Sequence, residues 1–157
     1  TGMIAVQLGK KIGAKVIAVS GREWVKDIGP DYVITDRRRV VEKVREFTNG
    51  KMADVVLNSL GAELWNTSYE SVGANGRLVT FGILTGSQVS LDLRSLYNRQ
   101  IKLIGSTGGS TREFQELLTD IRDLEIRVWK RFKLEETREA LNALFAKERD
   151  GRVMLVC

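Results

Sequence analysis

An alternation of two periodicities along the chain constrains its fold more than any other feature. Short β-branched runs, apolar at consecutive positions, include Lys15 to Val19 and Asp54 to Leu57. They alternate with amphipathic segments of roughly 8 to 15 residues at helical spacing. Consecutive apolar residues mark strands covered on both faces, and alternation with helices predicts a parallel sheet in an α/β fold. Helices are expected over Gly2–Ile12, Glu23–Ile28, Val40–Thr48, Ala62–Val72, Leu93–Asn98, Thr111–Asp123 and Leu134–Lys147. Strands are expected over Lys15–Ser20, Tyr32–Ile34, Ala53–Asn58, Gly76–Gly82, Ile101–Ser106, Arg127–Phe132 and Arg152–Val156.

Local punctuation supports these boundaries. Gly13 stands where a left-handed C-cap would close the first helix, and Asn49-Gly50 and Asn75-Gly76 supply turn chemistry before strands. Pro30, the only proline, precedes a strand and breaks no ladder. Over Leu134–Lys147, residues Leu134, Thr137, Leu141, Leu144 and Phe145 make one face, with acidic residues early and Lys147 late, as the helix dipole favours.

A chain of 157 residues with 43% hydrophobic content sustains one sizeable core, so one domain is expected. Its apolar runs are far shorter than the roughly 20 residues that cross a bilayer, and no signal peptide is visible, so a soluble cytoplasmic protein is expected. There is no histidine, and Cys157 is the only cysteine. Disulfides, Cys/His zinc sites and Ser-His or Cys-His catalysis are thereby excluded. The net charge of +5 permits contact with phosphate, but 20 acidic residues are interspersed among 25 basic ones. The densest basic run, Arg37-Arg38-Arg39 with Lys43 and Arg45, alternates with Val40, Val41, Val44 and Phe47, which reads as the solvated side of an amphipathic helix rather than a nucleic-acid surface.

An ordered set of segments carries a family resemblance. Thr1-Gly2-Met3-Ile4-Ala5-Val6-Gln7-Leu8-Gly9-Lys10 and Gly13-Ala14-Lys15-Val16-Ile17-Ala18-Val19 are followed by Gly29-Pro30-Asp31-Tyr32-Val33-Ile34 and Ala53-Asp54-Val55-Val56-Leu57-Asn58-Ser59-Leu60-Gly61. Then come Gly76-Arg77-Leu78-Val79-Thr80-Phe81-Gly82, Leu103-Ile104-Gly105-Ser106-Thr107-Gly108-Gly109 and Gly151-Arg152-Val153-Met154-Leu155. In this order they resemble the nucleotide-binding domain of the medium-chain dehydrogenase/reductase superfamily, especially its quinone oxidoreductase and alcohol dehydrogenase-like branches. The resemblance implies a doubly wound, Rossmann-like parallel sheet over 1–157, with the first strand and most of the glycine-rich turn lacking and a separate catalytic domain absent.

The cofactor-binding residues follow from that resemblance. Gly2 aligns with the last glycine of the phosphate turn, with Met3 beside it, at a helix N-terminus whose free N–H groups suit a pyrophosphate. Cofactor choice is written after the second strand of such a fold, here Ser20-Gly21-Arg22. No carboxylate follows directly, Ser20 can donate a hydrogen bond and Arg22 can pair with a 2′-phosphate, which favours NADP(H) over NAD(H); Glu23 is a counter-signal and Lys26 only a weak second cation. Asn58-Ser59-Leu60 and Phe81-Gly82-Ile83 leave strands where the ribose and nicotinamide would lie, or are simply tight turns that need Asn and Gly. Arg152 aligns with a phosphate-contacting position. Gly105 to Ser110 reads as a strand exit and helix cap, with Ser110 or Thr111 as the cap.

No catalytic residue and no metal ligand is assigned. Tyr32, Tyr69 and Tyr97 read as packing or surface, and any zinc would belong to the absent catalytic domain. Three classes follow: the cofactor domain of a reductase or dehydrogenase acting on a quinone, enone, aldehyde or alcohol; that of a zinc-dependent alcohol dehydrogenase; or a non-catalytic dinucleotide or nucleic-acid module. The resemblance also implies a homodimer through the strand near Ile101 to Ser106.

Overall fold

The computed structural model describes residues 1–157. The chain divides into two compact units, Thr1–Thr35 with Leu117–Cys157, and Asp36–Glu116. All paired strands are parallel, in three ladders of two, three and two strands. The α/β alternation expected from the sequence is the architecture observed.

In the first unit, α1 (Gly2–Lys11) precedes β1 (Ile17–Val19), which pairs with β2 (Tyr32–Ile34). A Schellman motif ends α1: Gly13 has φ 80°, its N–H donates to the Lys10 carbonyl at 3.0 Å, and the Ala14 N–H donates to the Gly9 carbonyl at 2.9 Å. Between β1 and β2 the expected short helix Glu23–Ile28 is present as a 3₁₀ helix, closed by Gly29 at φ 80°. So short a segment closes few i→i−4 bonds, and the tighter i→i+3 pattern takes their place. Val6, Ala18 and Val25 form the core here, with Val16, Trp24, Ile28 and Val33 packed around them.

The first unit also holds β6 (Val128–Lys133), α6 (Thr137–Leu144) and β7 (Arg152–Val156), with β6 paired only to β7. The amphipathic face expected of α6 is not the buried one. Ala140 is buried, whereas Leu141, Leu144 and Phe145 are exposed, the last to 86%. A two-stranded ladder offers a narrow surface, and the helix meets it through its smallest side chain, which permits the closest approach.

In the second unit, residues 37–39 form a 3₁₀ turn leading into α2 (Val40–Phe47). Val40 and Val44 are buried, as the helical spacing requires. The basic run beside them is neutralised locally by Arg38–Asp36, Arg39–Glu42, Lys43–Glu46 and Arg37–Glu63 pairs. Strand β3 (Ala53–Asn58) pairs with β4 (Val72–Thr80), and β4 with β5 (Lys102–Gly105). Helices α3 (Trp65–Glu70) and α4 (Leu93–Asn98) belong to the same unit. Strand β4 starts four residues before the expected Gly76, because Val72 already pairs with Ala53 and Asn75, at φ 61°, carries the irregularity. The core is Tyr69, Val72, Leu78 and Ile101, with Val56, Trp65, Leu91 and Leu96 against it. At the start of α5 (Thr111–Asp120) Ser110 is the cap: its N–H and hydroxyl both donate to the Glu113 carboxylate at 2.7 Å.

Candidate functional site

Residues expected to contact a dinucleotide fall in both units, and each unit has a recognisable arrangement. In the first, Gly2 opens α1, and a Cβ placed on it meets no atom within 4 Å. The glycine is therefore not required by packing; it leaves the helix N-terminus open to approach. Arg152 begins β7, its N–H donating to the carbonyl of Arg127, at 2.8 Å, while the Arg127 N–H donates to Met3 Sδ in the first turn of α1 at 3.4 Å. Arg152 thus stands beside the first turn of α1. An arginine at the start of a strand that neighbours a helix N-terminus is a combination suited to a phosphate.

Gly9 sets how closely α1 packs. A Cβ on Gly9 would fall 2.8 Å from Val16 Cγ2, so the glycine lets the helix press against the segment leading into β1. Its spacing from Gly2 is a signal available in the sequence.

At the exit of β1, Ser20 Oγ accepts a hydrogen bond from the Arg22 N–H at 3.1 Å, which fixes the turn. Gly21 is exposed, and a Cβ placed on it would meet nothing within 4 Å. The Arg22 guanidinium donates to the Lys147 carbonyl. Lys26 is paired with Glu23 at 2.5 Å. The two cations that the sequence offers at this exit are thus both engaged within the chain. They line an open cleft of about 650 Å³ that also takes in Arg127 and residues 148–150, which no local spacing would bring there.

In the second unit, β3 and β4 end in two turns packed backbone to backbone. Asn58 is 3% exposed, its Oδ1 accepting from the Leu60 and Gly61 N–H groups, both at 2.9 Å, and its Nδ2 donating to the Gly61 carbonyl at 3.1 Å. The Phe81 N–H donates to the Asn58 carbonyl at 3.1 Å, and the Leu60 carbonyl accepts from both the N–H and the hydroxyl of Thr85. Gly61 has φ 98°, and a Cβ there would lie 2.4 Å from the Gly86 carbonyl oxygen. The tight-turn reading of these residues is therefore correct in structure, and Thr85, unremarked in the sequence, is what ties them together.

The same turns leave groups available to a ligand. The amides of Ser59, Gly82 and Ile83 make no hydrogen bond within the chain. Ser59 is exposed, and Ile83 is 68% exposed beside them. They stand at the carboxyl ends of parallel strands, where open α/β sheets bind ligands. Free N–H donors next to an apolar side chain suit a flat heteroaromatic ring bearing a polar substituent.

Elsewhere, Tyr69 is a core residue, stacked on Trp65 and covered by Arg99, and Tyr97 is exposed. No group of three or more His, Cys, Asp or Glu side chains is placed to hold a metal ion, and no helix is long and apolar enough to cross a membrane.

Comparison with known proteins accords with this geometry. A family described as zinc-binding dehydrogenase matches residues 1–123. A quinone oxidoreductase of Salmonella typhimurium is 28% identical over 173 aligned positions, covering 99% of this chain and 53% of that protein. An NAD-dependent alcohol dehydrogenase of Sulfurisphaera tokodaii is 31% identical over 164 positions, covering 99% of this chain and 47% of that one. A thermostable alcohol dehydrogenase of Pyrobaculum aerophilum, solved with cobalt and zinc bound, superposes with a TM-score of 0.82 at 34% identity, over 99% of this chain and 47% of its own. The alcohol dehydrogenase of Aeropyrum pernix gives 0.85 at 29% identity, over 99% and 47%. The chain spans about half the length of the curated relatives it matches. With its ordered motifs, its parallel α/β architecture and a family match over residues 1–123, the chain belongs to the zinc-binding dehydrogenase family of the medium-chain dehydrogenase/reductase superfamily.

Proposed function

We propose that this chain is the nucleotide-binding domain of an oxidoreductase that takes NADP(H) in preference to NAD(H) and acts on a quinone, enone, aldehyde or alcohol. The observation that carries the reading is the open, glycine-led N-terminus of α1, whose first turn is linked through Arg127 to the start of β7 at Arg152, a site for the cofactor's pyrophosphate. Gly2 and Met3 would present first-turn amides, Ser20, Gly21 and Arg22 would meet the adenosine ribose, and Asn58-Ser59-Leu60 with Phe81-Gly82-Ile83 would face the nicotinamide side. When bound, the nicotinamide supplies the hydride chemistry. The chain's residues bind and orient; we assign none of them a proton transfer, and a catalytic domain is the expected partner.

The lack of a carboxylate directly after β1 speaks for NADP(H). The name of the Sulfurisphaera relative speaks for NAD(H) in that protein. Calorimetric titration of the full-length protein with NADPH and with NADH decides between them, and equal or NADH-biased affinity would end the NADP(H) reading.

A second reading, a zinc-dependent alcohol dehydrogenase, is favoured by the family to which the chain belongs. Zinc does not fit the residues of this chain, which has no histidine, a single exposed cysteine and no acidic cluster of the right kind. Metal analysis of the full-length protein tests that reading, with stoichiometric zinc as the expected result if it holds. A homodimer through β5 and a cytoplasmic location complete the proposal.

A further inference from the structure

Hydrogen bonds fasten the first turns of α1 to the segment that leads into β6. Gln7 Nε2 donates to the Glu125 carbonyl at 2.8 Å, and the Glu125 N–H donates back to Gln7 Oε1 at 2.9 Å, so a side-chain amide pairs with backbone as a strand would. Two residues on, the Arg127 N–H donates to Met3 Sδ at 3.4 Å. The Arg127 carbonyl accepts from the Arg152 N–H at 2.8 Å, and Gly151, at φ 130°, comes so near that a Cβ on it would lie 2.7 Å from the same oxygen. The peptide groups of Arg127 are therefore the spacer between the first turn of α1 and the start of β7.

The ladder by itself does not fix that start. Val128 pairs with Arg152 and Lys130 with Val153, so β6 skips Trp129 immediately beside Arg152. The Arg127 side chain supplies what the irregular ladder lacks. Its Nη2 donates to the Asp150 carboxylate at 2.6 Å and its Nε to the Asp150 carbonyl at 3.3 Å, while Nη1 donates to Asp27 at 2.9 Å. The guanidinium also lies over the Trp24 ring, 5.7 Å from its centroid. One planar fork thus grips Asp150, two residues before Arg152, through both side chain and main chain, which an ammonium cannot do. Two carboxylates offset the charge of Arg127, so it is poorly suited to hold a phosphate itself.

We propose that Arg127 is a positioning residue that sets where Arg152 meets the cofactor's pyrophosphate. The proposal rests on the reading of Arg152 and the α1 N-terminus given above. Because NADPH and NADH share the pyrophosphate, Arg127 acts equally on both.

The test is the dissociation constant of NADPH and of NADH for the full-length protein and for Arg127→Ala, Arg127→Lys, Asp150→Asn and Arg152→Ala, with Arg127→Ala and Asp150→Asn also made in the Arg152→Ala background. Arg152→Ala is expected to weaken both cofactors about tenfold and Arg127→Ala about fivefold, the loss and the misplacement of one charge-assisted contact. In the Arg152→Ala background, Arg127→Ala should change affinity less than about twofold, because the residue through which it acts is gone. Arg127→Lys restores the charge but not the fork and should recover little. Asp150→Asn weakens the same grip and should show the same dependence on Arg152, which answers the question if Arg127→Ala does not fold. Equal losses in the two backgrounds, no loss in the parent, or a loss confined to NADPH overturns the assignment and leaves the pyrophosphate reading standing. Arg152→Ala with the affinity of the parent overturns both.

Discussion

Gly82 stands against Ser59 so closely that a Cβ on the glycine would lie 2.1 Å from the serine carbonyl oxygen and 2.8 Å from its carbonyl carbon. Both obstructing atoms are backbone, so no side chain can swing away to make room. Gly82→Ala must therefore part the two turns that end β3 and β4. We expect a loss of about 3 kcal/mol, the upper end of the usual overpacking range, read as a lower urea midpoint with an unchanged slope. Cofactor affinity should fall as well, since the Ser59, Gly82 and Ile83 amides move apart. A variant as stable as the parent would show that the turns are not held in contact.

Asn58 makes a different kind of contribution to the same place. It is the hub of three hydrogen bonds at a position 3% exposed, and its removal strands two amide donors and a carbonyl at the base of the turn. Asn58→Ala is expected to cost about 2–3 kcal/mol, because the unpaired groups and not the lost side chain set the penalty. Asn58→Asp keeps both acceptor bonds and loses the donor to the Gly61 carbonyl, so its stability should fall between those of the parent and the Ala variant. Urea unfolding of the three proteins gives the order directly; an Asp variant less stable than the Ala variant at neutral pH would mean that burial of the carboxylate outweighs its retained bonds.

These two residues also mark how far the sequence alone reaches. Asn58-Ser59-Leu60-Gly61 after a run of consecutive apolar residues announces a strand and a tight turn, because the backbone chemistry is local. Thr85 is not legible in this way, since its bonds to the Leu60 carbonyl and the Glu63 N–H span 25 and 22 residues. The exit of β1 divides along the same line. Ser20 closing on the Arg22 N–H is a turn two residues long, readable from composition, whereas the Arg22 bond to Lys147 joins positions 125 residues apart. The amphipathic face of α6 is legible but its burial is not, because periodicity reveals that an apolar face exists and says nothing of what lies opposite it.

Asp31 links three segments of the first unit. Its carboxylate accepts from Lys10 Nζ at 2.7 Å and from the Val16 N–H at 2.7 Å, joining α1, the approach to β1 and the approach to β2. The Lys10 bond, then the Val16 bond, hold its pKa below the ordinary carboxylate value. In the window between the lowered folded value and the unfolded value of about 3.9, the unfolded chain binds more protons than the native one. Asp31 therefore contributes its stabilisation in full above the unfolded value and loses it as pH falls through the folded one. Asp31→Asn should lower stability at pH 7 and flatten the acid limb of a stability–pH curve. The difference between the two proteins should shrink with added salt, because the ion pair is partly exposed. Parallel curves for the two proteins below pH 5 would count against this role.

The free edges of the three-stranded ladder lead to a prediction about association. Its order β3-β4-β5 leaves one edge of β3 and one edge of β5 without a hydrogen-bonding neighbour. Beside them lie half-exposed Val55 and Leu57 on β3, and Leu103 and Ile104, each 39% exposed, on β5. Unpaired backbone flanked by β-branched and apolar side chains is a template for another strand, and one charge per edge, Asp54 on β3 and Lys102 on β5, is weak protection. The isolated 17.6 kDa chain is therefore expected to self-associate, with a sedimentation coefficient that rises with concentration. Ile104→Lys should remove a discrete dimer formed through β5, and Val55→Lys should remove higher, open-ended species formed through β3, since each places a second charge where a strand would dock. Because both side chains are already half-exposed, neither variant should unfold the chain, and circular dichroism checks this. A wild-type chain that sediments as a monomer at every concentration would show that both edges are protected by means other than charge.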